Sequence, residues 1–99
     1  MNNYTELEMT KDRLKKGLVH DLPVLRARLG VSQEELAEKI GISRQTYNVI
    51  ETGKKDMNWP IFLSLTAIFQ NNEETNLMLN NISDFEEGLM RILGSATDN

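Results

Sequence analysis

The stretch Val31-Ser32-Gln33-Glu34-Glu35-Leu36-Ala37-Glu38-Lys39-Ile40-Gly41-Ile42-Ser43-Arg44-Gln45-Thr46-Tyr47-Asn48-Val49-Ile50-Glu51-Thr52-Gly53-Lys54 decides how this chain folds. Ser32 and Glu35 have the spacing of a capping box, in which hydroxyl and carboxylate each satisfy a backbone N–H left over at a helix start. Leu36, Ala37 and Ile40 then line one face of that helix, and Gly41 can end it in the left-handed conformation. Ser43 caps a further helix almost at once, with Tyr47 and Ile50 on its inward face and Gly53 closing it after Glu51. Two helices this short and this close must cross tightly, and the small Ala37 sits where they approach.

Working outward, the period stays helical and no strict apolar/polar alternation offers a strand. Upstream, Leu18, Leu22, Leu25 and Leu29 recur at spacings of four, three and four. Pro23 interrupts that run and is tolerated in a first turn, so the spacing predicts a helix capped near Asp21 and closed by Gly30. Lys11 to Val19 forms either a short preceding helix or a basic arm. Downstream, Asn58 can cap a helix with Trp59, Phe62, Leu65, Thr66 and Phe69 on one side. Asn71 to Glu74 reads as a linker into another cap. Met78, Ile82, Phe85, Leu89 and Ile92 keep near-heptad spacing, and Ser83 with Glu86 is a second capping box that would split this region in two. Gly94 to Asn99 reads as a polar, fraying tail. The expectation is an all-α chain of five or six helices: an arm or short helix over 1–20, a central unit over 21–70 and an acidic helical extension over 71–99.

Composition narrows the function classes. The 99 residues suffice for one domain with one core, and 39% hydrophobic with 26% charged residues is a globular balance. No apolar run approaches the roughly 20 residues a membrane span needs. Met1 to Thr10 is polar and acidic, unlike a secretory signal. The absence of cysteine excludes disulfides, thiolate metal sites and a cysteine nucleophile, and suits a reducing cytoplasm. The net charge of −4 is unevenly spread: Lys11 to Lys55 holds ten basic and six acidic residues, whereas from Asn71 onward six acids face Arg91 alone. Such asymmetry is a hint of nucleic-acid contact.

With Leu36, Ile40, Ile42, Tyr47 and Ile50 where a helix-turn-helix buries its contacts, the quoted stretch resembles the lambda-repressor-like, or XRE, helix-turn-helix family of phage and bacterial regulators. The resemblance extends more loosely from Leu22 to Phe69. It implies a sequence-specific double-stranded DNA-binding domain that acts as a transcriptional repressor, with the helix Ser43 to Ile50 in the major groove. Base reading falls to Arg44, Gln45 and Asn48, with Val49 at the margin. Their chemistry fits independently, since arginine can pair with guanine O6 and N7, and glutamine or asparagine with adenine N6 and N7. Phosphate contacts fall to Gln33 at the head of the preceding helix, to Ser43 and Thr46, and to Lys54 and Lys55. Arg26 and Glu51 match a structural pair that fixes the reading helix without touching bases. The order Asn58, Trp59, Pro60 departs from the family pattern, and Trp59 reads as a core aromatic.

Family members pair two heads on half-sites about one helical turn apart, so a homodimer is expected. Met78 to Ile92 is either its contact or part of the core. A protein-binding role, as an antitoxin or an adaptor, is the alternative. Catalysis is not expected, nor is a cofactor or metal. His20 is the only histidine, no glycine-rich phosphate loop or nucleophile elbow is present, and Glu34, Glu35 and Glu38 lie on a solvated face beside Lys39.

Overall fold

The computed structural model describes residues 3–80 and 85–97. These form six helices and no strand: α1 (Asn3–Leu29), α2 (Gln33–Ile40), α3 (Arg44–Glu51), α4 (Trp59–Gln70), α5 (Glu73–Asn80) and α6 (Phe85–Thr97). The caps are where the side chains call for them. Ser32 Oγ accepts the Glu35 N–H at 3.0 Å while Glu35 Oε1 accepts the Ser32 N–H at 2.9 Å, which holds the Glu35 carboxyl below its ordinary range. Ser43 and Asn58 cap α3 and α4 in the same sense. Gly41 ends α2 at φ 77°, a left-handed value that costs glycine nothing sterically.

Two features differ from the sequence expectation. The first helix does not start at Asp21. It runs unbroken for 27 residues from Asn3, with Pro23 in its interior, so Lys11 to Val19 is neither a loose arm nor a separate short helix. Proline in a helix interior costs about 3 kcal/mol, because it withholds an N–H from the carbonyl four residues back, here Val19. Burial outweighs that cost. Leu14, Leu18 and Leu22 before the proline, and Leu25 after it, are all in the core, and each contributes roughly 1.5–3 kcal/mol. Pro23 itself stays on the solvent face.

What buries the first half of α1 is the last helix. α6 packs along α1, and Gly88 comes so near that a Cβ there would lie 3.2 Å from Leu14 Cδ2. Ile92 completes the seal. The segments on either side of the central unit thus cover one another. Lys11 rests over the Trp59 ring, 5.2 Å from its centroid, and Trp59 stacks on Phe62 at 4.7 Å, tying the same half of α1 to the start of α4.

The second difference concerns the linker and tail. Asn72 Oδ1 caps α5 by accepting the Thr75 N–H at 3.0 Å, so Glu73 and Glu74 already belong to a helix. Thr75 Oγ1 donates to the Phe69 carbonyl at 2.6 Å, closing the corner between α4 and α5. Gly94 to Thr97, expected to fray, continues α6. The Ser83–Glu86 capping box and the side chains of Ile82, Phe85 and Leu89 lie outside the described residues.

At the crossing of α2 and α3, Ala37 is 1% exposed, surrounded by a core that includes Leu36, Tyr47 and Ile50. Ala37→Leu adds three carbons to a filled space and is expected to destabilise by about 1–3 kcal/mol. A thermal melt measures it, and an unchanged midpoint would show that the crossing has room.

Candidate DNA interface

α3 is held by its inward face and its last turn. Tyr47 and Ile50 are buried, while Arg44 and Gln45 project from the first turn into solvent. At the other end stands Glu51, whose side chain is 8% exposed. Arg26 grips it with two bonds, Nε to Oε1 at 3.1 Å and Nη2 to Oε2 at 3.2 Å, in the planar fork geometry only arginine offers. The Tyr47 hydroxyl donates to Oε1 at 2.6 Å and Gln33 Nε2 donates to Oε2 at 3.1 Å. Arg26 Nη1 also donates to the Val31 carbonyl at 3.2 Å, so one guanidinium ties α1, the α1–α2 turn and α3 together.

The electrostatics follow from this geometry. Burial pushes the Glu51 carboxyl up, but the hydrogen bonds from Arg26, Tyr47 and Gln33 outweigh it and hold the group below the ordinary carboxylate value. The Arg26 guanidinium is pushed up, chiefly by its bonds to Glu51. Burial, and then the bond to Glu51, pushes the Tyr47 phenol up, so it stays a donor.

Asn48 and Val49 are half-buried on the same side of α3 as Arg44 and Gln45. Asn48 Oδ1 accepts a second bond from Gln33 Nε2, at 3.2 Å. Ser43 Oγ accepts the Thr46 N–H at 3.0 Å and donates to Thr46 Oγ1 at 2.9 Å, which leaves the Thr46 hydroxyl hydrogen for an outside acceptor. Lys54 and Lys55 are exposed, and both their N–H groups donate to the Val49 carbonyl, so the loop that carries them is wrapped onto the end of α3. Glu34, Glu35 and Glu38 line an open groove with Ile42, Arg44 and Gln45.

The sequence did not foretell two parts of this arrangement. The sequence places Tyr47 on the inward face of its helix, and its spacing of four from Glu51 is the signal for the side-chain bond the structure shows. The sequence offers Gln33 as a phosphate contact at the head of α2; nothing local marks it as the bridge between Asn48 and Glu51.

Two short capped helices crossing at an alanine, the second presenting an arginine and a glutamine beside a basic loop, define a DNA-binding helix-turn-helix protein. The helix-turn-helix family matches residues 25–57. An uncharacterized HTH-type transcriptional regulator of Methanocaldococcus jannaschii is similar, at 40% identity over 48 residues that cover 48% of this chain and 73% of the relative. No solved structure matches the chain. The chain belongs to the XRE-type helix-turn-helix family, a family of DNA-binding regulators and not of enzymes. No described helix is long and apolar enough to cross a membrane.

Proposed function

We propose that this protein is a transcriptional repressor that binds double-stranded DNA as a homodimer and reads the major groove with α3. The observation that carries the reading is the orientation of α3. Its last turn is clamped through Glu51 to α1 and α2, so the exposed Arg44 and Gln45 are offered by a rigid element. In this reading Arg44, Gln45 and Asn48 touch base edges and Val49 packs at their margin. Ser43, Thr46, Lys54 and Lys55 hold phosphates. Both hydrogens of the Gln33 amide are engaged inside the protein, so its phosphate contact falls to the main-chain N–H in the first turn of α2.

One head reads too few base pairs to single out a site, which is the argument for pairing two. Leu77, Met90 and Leu93 are exposed apolar residues on α5 and α6 and support a contact there, while Leu79 and Ile92 of the same segment are core. The same exposed residues would serve a different protein partner, the second reading. Added salt separates the two, since DNA binding weakens steeply with salt and an apolar contact does not.

Selection from random duplexes tests the whole proposal. Arg44→Ala or Gln45→Ala is expected to lose about 1–3 kcal/mol on the preferred site and to relax one position. Lys54→Ala should weaken all sequences alike and flatten the salt dependence. If Arg44→Ala changed neither affinity nor preference, α3 would not be the reading helix.

A further inference from the structure

The continuous α1 brings basic residues to the edge of the reading unit from outside it. Asp12, Lys15, Lys16 and Val19 stand at i, i+3, i+4 and i+7, so they share one face of the helix. That face and the loop after α3 line one cleft of about 160 Å³, to which the loop contributes Lys55 and Asp56. The loop is fixed there: the Lys54 and Lys55 N–H groups donate to the Val49 carbonyl at 2.9 and 3.1 Å, and Met57 beyond them is buried. Lys15 and Lys55 are thereby held on the same cleft, at the end of α3. Lys16 and Asp12 pair at 3.0 Å and offset one another. Lys15, Lys54 and Lys55 make no ion pair with any described residue. Against these three free cations the cleft sets one further carboxylate, the exposed Asp56.

We propose that Lys15 extends the DNA contact of α3 and its loop onto α1, by binding a backbone phosphate beside the one held by Lys55. The inference rests on α3 reading the major groove. Double-stranded DNA presents a row of negative charges, and each lysine that neutralises one releases counterions. Lys15 is half-buried, so holding a phosphate takes less side-chain freedom from it than from a fully exposed lysine. The contact is blind to sequence and adds grip without preference. It comes from a part of α1 that lies upstream of the helix-turn-helix unit at residues 25–57. The first half of α1, sealed by α6, then has a role on DNA besides completing the core.

The test is binding of the full chain to its selected duplex across a salt series. Lys15→Gln keeps most of the stem and removes the charge. Its log–log salt slope is expected to be shallower by about 0.9, with affinity lowered roughly 5- to 10-fold at 0.1 M salt. Base preference should not change. Lys15→Arg, which keeps the charge, should bind as the wild type does. Arg13→Gln removes an equal charge from an exposed position on another face of α1 and should leave the slope unchanged. Duplexes with single neutral methylphosphonates give an independent reading: one substitution should weaken the wild type and leave Lys15→Gln indifferent. A Lys15→Gln slope equal to that of the wild type overturns the proposal. So does an equal loss in Arg13→Gln, which would reduce the effect to net charge. In either case a Lys54→Ala protein with a flattened slope leaves the DNA reading standing. If no duplex is enriched by the wild type, the DNA reading fails and this inference fails with it.

Discussion

Replacing Glu51 with alanine is expected to cost about 3–5 kcal/mol of folding stability, a large part of the 5–15 kcal/mol typical of a domain. The carboxylate receives four hydrogen bonds, two from Arg26 and one each from Tyr47 and Gln33. Its loss leaves a guanidinium that is only 22% exposed, a buried phenol and an amide without their acceptor. Urea unfolding measures the loss, and a change below 1 kcal/mol would mean that water replaces the carboxylate freely. The charge itself shows in a pH series against Glu51→Gln. Because the folded state holds the Glu51 carboxyl below its ordinary value of 4.5, the stabilisation is fully present above that pH. It is lost as pH falls through the lower, folded-state value. The gap between wild type and Glu51→Gln should therefore narrow from pH 7 toward pH 3, and a constant gap would remove the charge from the account.

Truncation after Asn72 is expected to abolish cooperative folding. It removes Thr75, Leu79 and Ile92 from the core and uncovers Leu14 and Leu18 on α1. Leu79 and Ile92 each contribute about 1.5–3 kcal/mol by burial, and the leucines they cover lose a comparable amount. The sum approaches the whole stability of a small domain. Circular dichroism during heating reads the result. A truncated chain that melts cooperatively near the full-length midpoint, and sediments as a monomer, would instead give the segment to the dimer contact alone.

The parts of the fold legible in the sequence are those set by local chemistry. Ser32 with Glu35, Ser43, Asn58 and Gly41 act within one turn of chain, so residue order suffices to place them. The exposure of Arg44 and Gln45 follows likewise from helical period once Tyr47 and Ile50 are taken as inward. The continuity of α1 was not legible, because Pro23 argues locally for a boundary and only the distant α6 supplies the burial that overrides it. Gly88 carried no sign of its role, since a glycine in a helix is a weakness until something is known to press against it. The bridge from Gln33 to Asn48 and Glu51 depends on how α2 crosses α3, which no spacing along one helix encodes.

The 27-residue α1 also has a consequence for how the chain is made. Its leucine stripe leaves the ribosome before the helices that cover it, α3 to α6, which follow in order. At about 5–20 residues per second, the interval from Leu29 to Phe85 lasts roughly 3–11 s. The local pair α2–α3 can close within that time, but Leu14 lacks its contact with Gly88 until α6 emerges. A nascent chain of this protein therefore presents an amphipathic helix to chaperones for seconds, and the sixth helix, far downstream, is one of those that end that exposure.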